Sequence, residues 1–404
     1  WHLRGPRGRR PQPRGALSCP GPLRLMALCG LAGFLGNGRK RNGYDDCEDD
    51  QGSEQDGSDV KNFGRRLHCH RCKGSVGRRM AVLDETLREL GTPEARKRFR
   101  TLAQDNLARW ATEAQVKRVV VDLPRLRVER GDWGVVTHQL TKLYGKPFAV
   151  LNMANAYVAG GGYTEGMPAQ EENMFRRTDC HFSIDSSCFD QSCDRYLPDH
   201  TDLLNARHGR VMLDAASPRV CVRGPEEREA DDLGYAWLVD SEVFCFFELR
   251  AAAVDLRGGG SGFRFEDREC FRRIEAQLDT LIAGEVRHCV LSAFGCGAFM
   301  NPPQKVAECY RRALAPRLEN FDCVAFAIFH PGYGPDNFVP FSSVLGQLDG
   351  AAVDSLGDAA HPPASAAAPA WRRFRNGELD AGALSAPEVA AVTGAPPRGA
   401  VPAE

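Results

Sequence analysis

Short apolar runs alternate with amphipathic segments along the chain, and this alternation limits the possible fold more than any other feature. Several of the runs are apolar on both faces, as in strands of a sheet that is covered on both sides. The segments between them carry apolar residues at helical spacing. The pattern predicts an α/β protein, a three-layer α/β/α sandwich. The predicted strands are residues 117–123, 148–152, 219–222, 242–249, 288–294 and 323–329.

Composition divides the 404 residues into three parts. Residues 1–41 carry nine basic residues and no acid, and residues 45–59 carry eight acids and no base. Such charge blocks are typical of solvated tails. We therefore predict a disordered or targeting tail over residues 1–75, a folded domain over 76–348 and an Ala/Pro-rich, largely disordered tail over 349–404.

The net charge and the length of the apolar stretch near the N-terminus limit the kinds of partner that the protein can bind. The formal net charge is −1, so the chain offers no basic footprint for direct nucleic-acid binding. The apolar stretch at residues 23–36 has 14 residues, too few to cross a bilayer, and we expect no membrane partner. The basic segment ahead of it fits either part of an organelle-targeting peptide or an untranslated leader ahead of Met26.

The chain has 15 cysteines, and their distribution argues against a disulfide scaffold. Cys245, Cys289 and Cys323 lie in predicted strands, where free cysteine behaves as a small buried apolar residue. A reducing compartment is the better interpretation. The CxxC motif at residues 69–72 has no second pair, as a structural zinc site normally requires, so a half-site completed from elsewhere is the minor alternative. We expect no metal and no cofactor.

A run of three glycines follows the predicted strand 148–152. Gly160, Gly161 and Gly162 are separated by seven residues from Gln170, which begins a predicted helix. Consecutive glycines allow backbone N–H groups to approach an anion, and a helix N-terminus adds its dipole. In an open α/β sheet, ligands bind beyond the carboxyl ends of strands. A second glycine-rich loop, residues 293–303, follows the predicted strand 288–294, and the two loops together would suit a diphosphate.

Two adjacent carboxylates, Glu171 and Glu172, follow the first loop. Their negative charges would repel a phosphate, so two acids at this position are expected only if a bond close to the phosphate needs an acid. A glycosidic bond to a ribose beside a diphosphate meets that condition. A partly desolvated carboxyl group near anions has a raised pKa, which makes it a proton donor. The alternative is that both glutamates only stabilise the helix dipole in its first turn.

These motifs resemble the poly(ADP-ribose) glycohydrolases, in particular their compact microbial-type branch. The resemblance rests on Asn155, the glycine run, the spacer, "QEENMFRRTD" and "LSAFGCGAFMNPP", and it covers roughly residues 80–348. It implies a macrodomain-like core with a mixed central sheet. It also implies that Glu172 protonates the departing ribose oxygen and then activates water, while Glu171 orients the ribose hydroxyls. Asn155 would contact the distal ribose, the three glycines would line the ribose and phosphates, and Gln170 would belong to the substrate-binding set.

The second loop would hold the diphosphate by the same resemblance. Its implied substrate-binding residues are Gly295, Cys296, Gly297, Ala298 and Phe299, with Phe299 packed against the ribose.

The expected partner is poly(ADP-ribose) or an ADP-ribosylated protein, with ADP-ribose as product. Two alternatives stay open: a hydrolase of mono-ADP-ribose on protein or nucleic acid, and a non-catalytic ADP-ribose reader, which would not need the acid. Tyr333 and Phe338 are candidates for adenine stacking, with core packing as the alternative for Phe338. Metabolism of poly(ADP-ribose) would place the protein in the nucleus or cytoplasm. The basic N-terminal segment also allows targeting to an organelle.

Overall fold

A mixed sheet of seven strands forms the centre of the fold in the computed structural model, which describes residues 74–116, 123–190, 192–257, 264–330, 335–348 and 350–356. Two further short strands form a separate ribbon. In chain order the strands are β1 (Leu126–Arg130), β2 (Ala149–Met153), β3 (Phe189–Asp190), β4 (Arg195–Tyr196), β5 (Met212–Cys221), β6 (Phe244–Ala251), β7 (His288–Leu291), β8 (Cys323–Ile328) and β9 (Ala351–Val353).

The sheet has the order β5-β6-β2-β7-β8-β1-β9, and β3 pairs with β4 in the ribbon. Strand β5 runs antiparallel to β6, and the other pairs in the sheet are parallel. The described residues include eight α-helices: α1 (Ser75–Glu89), α2 (Pro93–Val116), α3 (Trp133–Tyr144), α4 (Gln170–Arg177), α5 (Pro198–Leu204), α6 (Asp267–Ala283), α7 (Pro303–Leu314) and α8 (Phe338–Leu345).

Helices cover both faces of the sheet. Neighbouring residues of the central strands point to opposite sides, so they pack against different helices. In β8, Val324 and Phe326 pack in the apolar core that includes α6, α7 and α8. Cys323 and Ala325 of the same strand pack in the other core, with residues of α1 to α4. This arrangement confirms the predicted three-layer α/β/α sandwich with a mixed central sheet.

Local sequence explains where α3 begins and ends. Asp132 caps its N-terminus, and the carboxylate accepts hydrogen bonds from the N–H groups of Gly134 and Val135 at 2.8 and 3.2 Å. Gly145 ends the helix in the left-handed conformation that glycine favours. The capped helix leads directly into β2, the strand that carries the first glycine loop.

Five of the predicted strands correspond to β2, β5, β6, β7 and β8. Strand β5 begins at Met212, before the predicted 219–222, and a register shift between Asp214 and Arg219 interrupts its regular pairing. Most of the predicted strand 117–123, the motif at 69–72 and nearly all of the two predicted tails lie outside the described residues.

Two strands of the central sheet were not predicted. Strand β1 has the sequence Leu-Arg-Val-Glu-Arg. Its charged residues would indicate an exposed segment, but most of the strand is buried. Arg127 and Glu129 are both buried because they pair with each other at 3.2 Å. Glu129 also accepts hydrogen bonds from the hydroxyl of Ser355 and the N–H of Leu356. Strand β9 pairs with β1 and lies beyond residue 348, where we had predicted the domain boundary.

Candidate active site

Three parallel neighbours, β6, β2 and β7, end at the same edge of the sheet. The loops that follow them therefore meet. The N–H of Leu256, after β6, donates to the carbonyl of Phe299, after β7, at 3.1 Å. The glycine loop after β2 emerges between the strands that carry these two segments. The two predicted glycine loops thus follow neighbouring strands at one edge of the sheet.

The glycine loop wraps around the two predicted acids. The Glu171 carboxylate accepts hydrogen bonds from the N–H of Asn155 at 2.7 Å and from the N–H of Gly160 at 3.1 Å. The Glu172 carboxylate accepts one from the N–H of Gly162 at 3.0 Å. The N–H groups of Gly160 and Gly162, which we expected to face a phosphate, thus donate to glutamates of the same chain. Contact between this loop and substrate stays a prediction.

The glycine run is a packing requirement. Gly160 and Gly161 have φ values of +73° and +56°, which side-chain-bearing residues rarely adopt. A Cβ at Gly161 would collide with the carboxylates of Glu171 and Glu172. A Cβ at Gly160 would lie within 2.9 Å of the Phe175 ring. Only a bare backbone can come this close to both acids.

The two carboxylates are buried next to each other, 4% and 8% exposed for Glu171 and Glu172. Burial, and then the negative charge of Glu172, raise the pKa of Glu171 well above its ordinary value. The bonds from Asn155 and the positive charge of Arg250 act in the opposite direction. Oε2 of Glu172 is buried and has no hydrogen-bond partner within the described part of the chain. A proton or a substrate hydroxyl would satisfy it.

Gln170 and Asn155 shape the loop on either side of the acids. The Gln170 amide pairs with the end of β2: its Oε1 accepts from the N–H of Met153 at 3.0 Å, and its Nε2 donates to the carbonyl of Leu151 at 2.8 Å. Oδ1 of Asn155 accepts from the N–H of Tyr157 at 2.8 Å and thereby closes an Asx turn. Substrate contact by either side chain stays a prediction.

A buried ion cluster beneath the acids was not predicted from sequence. Glu248 in β6 accepts hydrogen bonds from Asn152 at 2.8 Å, Arg219 at 2.9 Å and Arg250 at 2.6 Å. Burial acts to raise the pKa of Glu248, but the two arginines outweigh it and hold the pKa at about 2. Glu248 and Arg250 are two residues apart, so they share one face of the strand, and that spacing is the signal that could have identified the pair.

The second loop is held by Asn301, which sequence reasoning also missed. Its Nδ2 donates to the carbonyls of Val254 at 2.8 Å and Gly295 at 3.1 Å. Gly295 has a φ of +73° and turns the chain sharply after β7. The exposed N–H groups of Gly297 and Ala298 have no acceptor within the described residues, which leaves them available to an anion.

The remaining predicted residues of this loop are half-buried. The Cys296 thiol contacts the carbonyl of Phe294 at 3.7 Å, and burial raises its pKa. The Arg257 guanidinium lies 5.0 Å from the centre of the Phe299 ring. A positive charge therefore stands beside the loop that we predicted to hold a diphosphate.

The structure describes one of the two adenine-stacking candidates, Phe338. Phe338 is 6% exposed and belongs to an apolar core, with the Arg130 guanidinium 3.9 Å from the centre of its ring. Core packing, the alternative given for Phe338, agrees with this position. Tyr333 lies outside the described residues.

In the described residues, no group of three or more His, Cys, Asp or Glu side chains is arranged to hold a metal ion. No helix in the same residues is both long enough and apolar enough to span a membrane.

The fold and the buried pair of acids define a mixed α/β domain in which a glycine loop encloses two carboxyl groups at one edge of the sheet. Residues 92–202, which include the glycine loop and both glutamates, match the family model described as "Microbial-type PARG, catalytic domain", where PARG is poly(ADP-ribose) glycohydrolase. This match confirms the predicted resemblance to the microbial-type enzymes and the predicted class, a glycosidase. No curated protein matches the chain.

The chain is also similar to solved structures of poly(ADP-ribose) glycohydrolases. One is the Thermomonospora curvata enzyme bound to the inhibitor ADP-HPD, with 22% identity, a TM-score of 0.42, and coverage of 66% of this chain and 98% of that chain. Another is the Deinococcus radiodurans enzyme in complex with ADP-ribose, with 20% identity, a TM-score of 0.39, and coverage of 62% and 92%.

Proposed function

We propose that this protein hydrolyses ribose–ribose O-glycosidic bonds in poly(ADP-ribose) and releases ADP-ribose, with Glu172 as general acid and base. The observation that carries the proposal is the unpartnered, buried Oε2 of Glu172. It lies beside a second buried carboxylate, at the edge of the sheet where two loops meet. The family-model match over residues 92–202 supports the glycohydrolase class.

The hydrogen bonds support different roles for Glu171 and Glu172. Each oxygen of Glu171 accepts a backbone N–H, which fixes the position of this carboxyl group. Oε2 of Glu172 accepts no such bond and is therefore the carboxyl oxygen available to carry the catalytic proton. This proton would pass to the departing ribose oxygen.

Glu172, once ionised, would take a proton from the attacking water. Glu171 retains unused lone pairs on both oxygens and would accept hydrogen bonds from ribose hydroxyls. The free N–H groups of Gly297 and Ala298 would bind the diphosphate. The negative diphosphate, rather than a second carboxylate nucleophile, would stabilise positive charge at the anomeric carbon, unlike the usual two-carboxylate scheme of glycosidases.

The test is release of ADP-ribose from labelled poly(ADP-ribose) by the purified chain and by Glu172→Gln. Glutamine keeps the shape of the side chain but cannot deliver the proton, and we expect at least a 100-fold loss in rate. Glu165→Gln, an exposed change in the same loop, is the matched control and should retain activity. If the wild type binds ADP-ribose but releases none from the polymer, the proposal is wrong, and mono-ADP-ribosylated protein is the next substrate to assay.

A further inference from the structure

We infer that Glu226 and three arginines form a positioning cluster that holds the spacer between the glycine run and the two acids, and so sets the geometry of Glu172. The inference rests on the proposed function, since it assigns a role in that reaction. The cluster consists of Arg79 in α1, Arg176 in α4, and Arg228 and Glu226 in the segment after β5. None of these residues belongs to the predicted site.

The three arginines bind three consecutive carbonyls of the spacer, residues 163–169. Arg79 donates to the carbonyl of residue 166 at 3.5 Å. Arg176 donates to the carbonyl of residue 167 at 2.9 Å, and Arg228 to that of residue 168 at 3.1 Å. Carbonyls 166 to 168 stand directly before α4, whose first turn contains both acids. A shift of these carbonyls would therefore be passed on to the acids.

One carboxylate joins the arginines. Glu226 accepts a hydrogen bond from Arg79 at 2.7 Å and lies 3.2 Å from Nε of Arg228. Its other oxygen accepts from the hydroxyl of Tyr235 at 2.6 Å and lies 4.0 Å from Arg176. Burial acts to raise the pKa of Glu226, but Arg79 and Tyr235 outweigh it and hold the pKa below its ordinary value. The carboxylate is thus kept charged, with an arginine on each side.

The segment that carries Glu226 is held in a strained conformation. Leu233 and Tyr235 are buried with φ values of +59° and +56°, in the left-handed region that side-chain-bearing residues rarely adopt. Such strain persists where the surrounding structure fixes it, often next to a functional site. The Tyr235 hydroxyl also accepts from Nε of Arg176 at 3.0 Å and from Asn173 at 3.2 Å. The strained tyrosine therefore links the cluster to α4 itself.

The test variant is Arg228→Met, because this side chain is partly exposed and methionine keeps its apolar length. Arg78→Met is the matched control: Arg78 neighbours Arg79 in α1 and binds the carbonyl of Asp232 in the same strained segment, but it does not bind the spacer carbonyls. Misplacement of a catalytic group by about 1 Å can cost on the order of 100-fold in rate. For Arg228→Met we expect kcat on poly(ADP-ribose) to fall about 10- to 100-fold.

ADP-ribose affinity and the melting temperature should change little, because the proposed diphosphate loop and the cores are not altered. Equal kcat values for the two variants, or a fall in kcat matched by a fall in melting temperature, would overturn the inference. Glu226→Gln, which removes the central charge but not the shape, should reproduce the loss of kcat.

Hydrogen exchange separates failure of this inference from failure of the proposed function. The N–H groups of Gly160 and Gly162 are bonded to the acids, and in Arg228→Met their exchange should accelerate about 10-fold through local opening. Arg78→Met should leave it unchanged. This measurement needs no activity: if the wild type does not cleave the polymer, accelerated exchange still supports the positioning role, and unchanged exchange refutes it.

Discussion

Gly161→Ala tests the central geometric claim, that the acids can pack against the loop only because it lacks side chains. The new methyl group would collide with Oε1 of Glu172 and approach Oε2 of Glu171. It would also sit at a φ of +56°. The backbone strain alone costs about 1–2 kcal/mol. The collision must be relieved by movement of the carboxylates, and displacement by about 1 Å costs on the order of 100-fold in rate.

Gly209→Ala is the matched control. Gly209 has a similar φ of +67°, but a Cβ there has no heavy atom within 4 Å. Both variants should therefore lose about 1–2 kcal/mol of unfolding free energy to backbone strain, measured by urea denaturation. Only Gly161→Ala should also lose about 100-fold in ADP-ribose release. If the two variants show the same activity, the close packing of the glycine loop on the acids does not control catalysis. That result would refute our interpretation that the glycines are needed to place the acids.

Three further predictions concern the groups around the acids. The folded state holds a proton on Glu171 more tightly than the unfolded state, so the free energy of unfolding should fall as pH rises above the ordinary glutamate pKa of 4.5. This dependence on pH should be shallower in Glu171→Gln. Urea denaturation at several pH values measures both. Glu248→Ala leaves Arg219 and Arg250 buried without their shared carboxylate, and should cost about 3–5 kcal/mol of unfolding free energy. Asn301→Ala frees the second loop and should weaken ADP-ribose binding about 10-fold by calorimetry, since a lost buried hydrogen bond costs about 1–3 kcal/mol.

Each of these predictions has an outcome that contradicts it. Equal pH slopes for wild type and Glu171→Gln would mean that Glu171 is not the group that holds the extra proton. A Glu248→Ala variant as stable as the wild type would show that the buried arginines find other partners. Unchanged affinity in Asn301→Ala would separate the second loop from ligand binding.

The fold was largely predictable because most of its strands are apolar on both faces. The sequences of β7 and β8 consist mainly of buried residues, and this pattern identifies central strands of a covered sheet. Strand β1 was missed because two of its buried residues, Arg127 and Glu129, are charged and neutralise each other. A pattern of polarity cannot distinguish a buried ion pair from a solvated face.

The site was predictable only in part, because most of its hydrogen bonds join residues that are distant in sequence. The glycine run and the acids lie about ten residues apart, so their association could be expected from the motif. The seven-residue spacer is different. Its carbonyls are fixed by Arg79 and Arg228, which are 87 and 60 residues away from their acceptors, and these two arginines are joined through Glu226. Nothing in a local pattern indicates that such distant arginines bind this loop.

This difference changes the meaning of the spacer itself. From sequence, seven residues between glycines and acids indicate only that a loop must return to the sheet. In the structure, the loop brings the N–H groups of Gly160 and Gly162 onto the acids at one end and presents three carbonyls to the arginines at the other. A residue removed from or added to the spacer would shift these carbonyls relative to the arginines. The spacer therefore connects the acids to the cluster around Glu226, and its length matches the contacts made at both ends.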